Sequence, residues 1–199
     1  MSRVLVKAPE RVECVVIVGP TCAGKSTILD AIRNSSPGVD VPRRFVTRAP
    51  RAGDRASESA HVDAATFENR VRSGEIAFHW VRPMENGREE RYGFPPATHG
   101  RFAVYSGNNA IYANAASVRP ATILNHAFLL GVDAPLGERE ARLRARSPDL
   151  WEKRPDEVRH RLEDRAEEMR SHVHAVIENS GALEETVRVA LRLVERLRR

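Results

Sequence analysis

Apolar residues along the chain come in short β-branched runs, and between the runs they recur at helical spacing. Residues 12–18 form the first run, closing on Val15, Val16, Ile17 and Val18 before Gly19 breaks it. The pattern predicts a buried strand, and residues 26–33 beyond the intervening loop have helical character. Asn34-Ser35-Ser36-Pro37-Gly38 is a cluster of breakers that ends this helix. Residues 39–55 are rich in proline and arginine and hold only the short apolar pair Phe45-Val46. Arg48 and Arg51 follow at a spacing of three in a proline-interrupted loop, which is expected to leave them unburied. Residues 64–73 put Phe67 and Val71 on one helical face, and Ile76-Ala77-Phe78-His79-Trp80-Val81 reads as a strand.

Residues 85–90 are a turn-like polar excursion, after which Arg91-Tyr92-Gly93-Phe94-Pro95 resumes the path of a small α+β insert. Residues 102–105 and 127–132 are further buried-strand candidates, each followed by a helical or polar segment. Residues 138–169 are charged and helical, interrupted at Ser147-Pro148 and Arg154-Pro155. Residues 173–177 predict the last strand, Asn179-Ser180-Gly181 a turn, and residues 183–197 an amphipathic closing helix. Strands separated by helices imply parallel pairing with helices on both faces of a sheet.

A chain of 199 residues with 41% hydrophobic content can bury one sizeable α/β core with a small inserted subdomain. No stretch approaches the ~20 apolar residues that span a bilayer, and no apolar signal segment precedes Arg11. The expectation is a soluble cytoplasmic protein without a membrane partner. Cys14 and Cys22 are too few for a disulfide framework and lack metal-ligand spacing. The net charge of +5 raises nucleic acid as a partner, but from Glu138 to Arg170 the arginines alternate with acids, the pattern of a solvated, salt-bridged helical surface. No nucleic-acid partner is expected. Arginine also suits bidentate phosphate recognition, so the positive balance fits small anionic ligands.

Chemistry concentrates first in the loop after the opening strand. Gly19-Pro20-Thr21-Cys22-Ala23-Gly24-Lys25-Ser26-Thr27 has the spacing Gly-x4-Gly-Lys-Ser. The two glycines let a backbone approach a triphosphate closely, while loop amides and the following helix N-terminus supply converging donors. Lys25 adds a mobile charge for the β- and γ-phosphates, and the Ser26 hydroxyl is placed to ligate Mg²⁺ riding on the nucleotide. No apolar strand ends in the aspartate that often assists such a metal: residues 102–105 run into Ser106, and Asp133 lies beyond a different strand. Asp54 or Glu58 could supply a carboxylate, with a loop cap as the alternative. His61 and His79 could polarise an acceptor hydroxyl, although packing is the simpler role, as it is for Trp80 and Trp151.

Over residues 12 to about 191 the order of parts resembles the guanylate-kinase-like branch of the P-loop kinases. Val46-Thr47-Arg48-Ala49-Pro50-Arg51-Ala52-Gly53-Asp54 resembles the Thr-Arg-x-x-Arg-x-Gly-Glu segment that binds the acceptor's phosphate in that family, and Arg91-Tyr92-Gly93 its Tyr-Tyr-Gly turn. Arg142-Leu143-Arg144-Ala145-Arg146 and Arg159-His160-Arg161-Leu162 resemble its lid arginines, and residues 176–183, with Asn179, its adenine-side turn. The resemblance implies an α/β P-loop NTPase fold of three layers with a parallel sheet, in one domain. Its core is 11–37, 99–137 and 171–199, its acceptor-binding insert 38–98 and its helical lid 138–170. It further implies ATP and Mg²⁺ as cofactors. Residues 19–27 and Asn179 would hold ATP, Ser26 the metal, and Arg48, Arg51 and Tyr92 the acceptor's phosphate. Lys25, Arg146 and Arg161 would neutralise charge during transfer, with Arg159 competing with Arg161.

The base-reading positions depart from guanylate kinases: they hold Arg44, Phe78 and Phe94, and Ala60 beside His61 replaces a phosphate-binding tyrosine. A base edge would find no polar partner there. The ribose 1,5-bisphosphate phosphokinase family of phosphonate metabolism, which keeps the phosphate arginines without base recognition, resembles the chain at Arg44-Phe45-Val46-Thr47-Arg48, Ala77-Phe78-His79-Trp80 and Tyr92-Gly93-Phe94-Pro95. Ser106-Gly107-Asn108-Asn109 departs from that family's Asn-x-Ser-Arg pattern. The resulting expectation is an ATP-dependent kinase acting on a phosphorylated small molecule, ribose 1,5-bisphosphate first, with a homodimer left open. The alternatives are a guanylate kinase and a non-catalytic interaction module of the same fold.

Overall fold

The computed structural model describes residues 3–4, 7–51, 54–84, 87–98, 101–153, 155–162 and 166–199, without the side chains of 3, 4, 157, 160, 161 and 166. The strands are β1 (Arg3–Val4), β2 (Cys14–Val18), β3 (Val39–Asp40), β4 (Arg44–Val46), β5 (Ser59–His61), β6 (Phe78–Pro83), β7 (Glu89–Phe94), β8 (Phe102–Ser106), β9 (Ala127–Asp133) and β10 (Ala175–Glu178). The helices are α1 (Lys25–Ser35), α2 (Ala64–Arg72), α3 (Ala110–Ala113), α4 (Leu136–Arg146), α5 (Pro148–Lys153), α6 (Pro155–Leu162), α7 (Ala166–His172) and α8 (Leu183–Leu197). Among the described residues no helix is long and apolar enough to cross a membrane.

The larger sheet runs in the order β1-β10-β9-β2-β8-β3, with β1 antiparallel at one edge and the other five strands parallel. Strand alternation divides β2 between two cores. Val15 and Ile17 pack with Ile28, Leu29 and Ile32 of α1 and with Ala190 and Val194 of α8. Cys14, Val16 and Val18 face the opposite way, toward Ile111 of α3, Met169 of α7 and Val173. A sheet buried on both faces needs continuous apolar runs, which explains why β2 and β9 were legible without alternation.

The smaller sheet, in the order β5-β4-β7-β6, pairs β4 with β5 in parallel and β7 antiparallel with both β4 and β6. Its buried face carries Phe78, Trp80, Tyr92 and Phe94. Trp80 stacks on Tyr92 at 5.5 Å and Phe78 on Phe94 at 5.4 Å, while Tyr105 of β8 meets Phe78 edge-on at 4.8 Å. The slab therefore joins the two sheets in one apolar cluster. On the other side, α2 starts at Asp63, whose carboxylate accepts from the Thr66 amide, and buries Phe67. Gly93 permits that closure, because a Cβ there would lie 2.6 Å from Ile76 Cγ2 and 3.0 Å from the Phe67 ring.

Two expectations change and one strand is added. Glu89 and Glu90 belong to β7 and not to the turn, and the three-residue strand β5, which gave no apolar signal, pairs at an edge. Asp133, expected beyond a strand, is the last residue of β9.

Replacing Trp80 by alanine removes the centre of the slab and takes from the Asn108 side-chain oxygen one of its two donors, the indole N–H at 3.0 Å, leaving only the Ala110 amide. The expected cost is about 3–5 kcal/mol of unfolding free energy, read from urea denaturation.

Candidate active site

The loop between β2 and α1 is shaped by backbone that turns left-handed three times, at Gly19 (φ 149°), Cys22 (φ 63°) and Gly24 (φ 103°). Its glycines also answer to their surroundings. A Cβ on Gly19 would lie 2.1 Å from the Val132 carbonyl oxygen of β9, and one on Gly24 would lie 2.2 Å from the Asn179 side-chain amide. Close approach to the neighbouring strand and turn demands glycine here before any ligand arrives. Asn179 is buried; its amide donates to Ala23 O at 2.8 Å, its side-chain oxygen accepts from Thr186, and its backbone N–H donates to Asp133 O. Asn179 thus clasps the loop from behind. Cys22 packs against the cluster of Leu143, Val158 and Leu162 on α4 and α6.

Lys25, at the first position of α1, turns back into the loop and donates to Gly19 O and Pro20 O at 2.7 Å each. Its ammonium pKa is lowered to about 8, first by burial and then by the Arg44 guanidinium. Next to it, Ser26 Oγ donates to Glu58 Oε2 at 2.9 Å.

The residues expected to grip an acceptor's phosphate lie in a second cluster on the smaller sheet. Arg48 makes a two-point pair with Asp54 at 2.7 and 2.8 Å. Its side chain is 7% exposed, which overturns the expectation that the loop leaves its arginines unburied: Asp54, six residues on, supplies the charge that burial requires. Asp54 also accepts from the Arg51 backbone amide at 2.8 Å and lies 3.3 Å from His61 Nε2. Burial alone would raise its carboxyl, but the Arg48 and Arg51 hydrogen bonds outweigh burial and hold its pKa at about 2. Arg51 reaches Glu90 at 2.8 Å, and Tyr92 donates its hydroxyl to the other oxygen of the same carboxylate. Arg82, opposite Glu90 in the β6–β7 register, lies 3.5 Å away. Arg44 donates to Ser59 Oγ at 2.8 Å and sits 5.9 Å over the Tyr92 ring, with burial lowering its pKa.

Glu90 was missed as a site residue, and Arg142, within the stretch resembling lid arginines, was passed over for Arg146. Glu90 stands two before Tyr92 on a strand and so shares its face, a placement readable once β7 is recognised. Arg142 stands four before Arg146 on α4 and donates to Cys22 O at 3.2 Å and Asn179 O at 3.3 Å, so it is the arginine of α4 bonded to the nucleotide loop. Arg146 is exposed at the end of α4 and bears on Lys25 through its charge. The Arg161 side chain lies outside the described residues, and Arg159 is exposed beside Asp156. Asp133 is taken by Arg170 and the Ala134 amide. His79 is packed edge-on against Phe67.

Among proteins of known name, a guanylate kinase of Nocardia farcinica is 32% identical over 155 residues, covering 75% of each chain. The chain belongs to the guanylate kinase family. Other relatives match over shorter stretches. A guanylate kinase of Gluconobacter oxydans is 35% identical over 94 residues, and a ribose 1,5-bisphosphate phosphokinase of a Ruegeria species is 31% identical over 88; they cover 47% and 44% of this chain. In each case the match spans 43% of the relative's own length. No family model matches. The crystal structure of guanylate kinase from Anaplasma phagocytophilum superposes over 94% of this chain and 87% of its own, with a TM-score of 0.52 at 17% identity. The guanylate kinase family fold thus accounts for the five parallel strands and the glycine loop at the end of β2.

Asp54 is the group whose removal reads out this cluster. Its pKa falls from 3.8 to about 2 on folding, so its stabilisation is complete above pH 4 and is lost as pH falls toward 2. Asp54→Asn should therefore cost about 2 kcal/mol in urea unfolding at pH 7, and the gap between variant and wild type should close between pH 4 and 2.

Proposed function

We propose that the protein is an ATP-dependent phosphotransferase whose acceptor already carries a phosphate, with ribose 1,5-bisphosphate, converted to 5-phosphoribosyl diphosphate, as the best acceptor. The observation that carries this reading is the pairing of a Lys25–Ser26 phosphate loop with a second, separate cluster of Arg48, Arg51 and Tyr92, each of which bonds a carboxylate oxygen. A carboxylate and a phosphate ask for the same donors, so side chains preorganised on Asp54 and Glu90 are preorganised for a phosphate.

The choice of acceptor rests on the aromatic slab. By the sequence resemblance, Phe78 and Phe94 take the positions that read guanine in guanylate kinases; both are buried and stacked on each other, with no polar atom to offer a base edge. The name of the Nocardia relative supports GMP as the second acceptor.

ATP supplies the phosphoryl group and Mg²⁺ the counter-charge for its oxygens. The residues present fit both: the loop turns its backbone around a helix N-terminus, and a buried carboxylate oxygen of Glu58, beside Ser26, has no hydrogen-bond partner among the described residues. Lys25 exchanges its two loop carbonyls for phosphate oxygens, and Arg142, on the loop and the Asn179 turn, fixes the nucleotide side. Arg48, Arg51 and Tyr92 orient the acceptor, whose phosphate oxygen forms a new bond to the γ-phosphorus as the bond to the β,γ-bridging oxygen breaks and ADP leaves with that electron pair. An acceptor phosphate that is already dianionic has no proton to lose, so neither His61 nor His79 is required as a base. Catalysis then reduces to positioning and positive charge.

The test is ADP production across a panel of phosphorylated metabolites that includes ribose 1,5-bisphosphate and GMP. Turnover with the sugar bisphosphate is expected, and turnover with GMP alone would replace the first acceptor by the second. Lys25→Ala should lower kcat by about 10²–10³-fold. Arg48→Lys, which loses the two-point grip, should raise the acceptor KM while leaving that of ATP within about twofold.

A further inference from the structure

Glu58 sits in the connection between β4 and β5, far from the nucleotide loop in sequence, yet its carboxylate crosses to the N-terminus of α1. Its side chain is nine-tenths buried, with 10% exposure. Oε2 accepts the Ser26 hydroxyl proton at 2.9 Å, whereas Oε1 is buried and has no hydrogen-bond partner among the described residues. Among the described residues the nearest cation to Oε1 is Arg55 at 3.8 Å, beyond hydrogen-bond reach, and that guanidinium is committed to Asp30 of α1. An ionised oxygen without a partner in such a place is costly unless a cation completes it.

On the proposed reading of the nucleotide loop, we infer that Glu58 is the carboxylate of the Mg²⁺ site, delivered from the acceptor side of the molecule. The chemistry of the pair supports this division of labour. A serine hydroxyl that gives a lone pair to a metal points its proton away and needs an acceptor for it, and Glu58 Oε2 already occupies that place. Oε1 remains for the metal or for a water bound to it, in keeping with the preference of Mg²⁺ for one or two carboxylates plus phosphate oxygens and waters. The alternative carboxylates are spent: Asp54 on Arg48, Asp133 on Arg170 and the Ala134 amide, and Asp30 on Arg33 and Arg55. Among the described residues no group of three His, Cys, Asp or Glu side chains could hold a metal ion, so the site is complete only with the nucleotide's own oxygens.

A metal-ligand role has a signature that a packing role lacks. Without metal, the Glu58 charge faces the incoming phosphates and opposes them; with metal, it recruits the nucleotide. Affinity for a non-hydrolysable ATP analogue, measured by calorimetry in excess Mg²⁺ and in EDTA, should therefore respond in opposite directions to Glu58→Gln. Binding in Mg²⁺ weakens by about tenfold or more, while binding in EDTA is unchanged or tighter. Mn²⁺ titrated into the protein–analogue complex and followed by electron paramagnetic resonance should show the same loss of metal affinity, with Glu58→Asp intermediate in the folded protein. Equal weakening with and without metal, or wild-type Mn²⁺ affinity in either variant, would overturn the inference. If wild type binds no nucleotide under either condition, the functional reading itself fails, and the two failures are distinguished by that control.

Discussion

Cations that are to share phosphates must first be held together without them. Lys25, Arg44, Arg48, Arg51 and Arg82 repel one another, and each such pair at short range costs on the order of a few kcal/mol near a protein surface. The structure answers with fixed oxygens. Asp54 takes Arg48, Glu90 takes Arg51 and Tyr92, and the carbonyls of Gly19 and Pro20 take Lys25. Substrate affinity is consequently a difference, because an incoming phosphate must outbid an oxygen already in place. On the proposed reading, a dianionic phosphate can do so where a single carboxylate or a neutral hydroxyl cannot, and the cluster would discriminate by charge before it discriminates by shape.

Such a cluster is useful only if its carboxylates do not wander, and the aromatic slab supplies that stiffness. Tyr92 is stacked on Trp80, whose indole is in turn tied to Asn108 of the core, and Glu90 is held two residues from Tyr92 by the β7 ladder. On the proposed reading, the rings that offer a base no polar partner also aim the phosphate donors.

Much of this was legible in the sequence because it depends on local rules. The glycine spacing before Lys25 announced the loop, and continuous apolar runs announced β2 and β9, buried on both faces. What stayed hidden depends on long-range pairing. The burial of Arg48 could not be read from a proline-interrupted loop, because it rests on Asp54 folding back. Polar Glu89 and Glu90 looked like a turn, since their strand status comes from pairing with Arg82 and Pro83 across the hairpin. Glu58 was one of two candidate carboxylates for the metal, and the choice between it and Asp54 rests on its bond to Ser26, 32 residues away, which only the fold makes. The exclusion of Phe78 and Phe94 from polar work, by contrast, was stated by residue type alone.

The stretch between β4 and β5 carries Arg48, Arg51, Asp54 and Glu58 within eleven residues of chain, and Arg55 pins it to Asp30 on α1. On the proposed reading, one face of this connection meets the acceptor's phosphate and the other meets the metal on the donor. Arg51 and Glu58 therefore belong to one short connection, with Asp54, four residues before Glu58, bonded to the Arg51 amide. Linkage makes any coupling between the two ligands reciprocal, each ligand changing the other's affinity by the same factor. A kinase that draws its metal carboxylate from the acceptor's side has a physical reason to hold ATP poorly until the acceptor is present, and so to waste little of it on water.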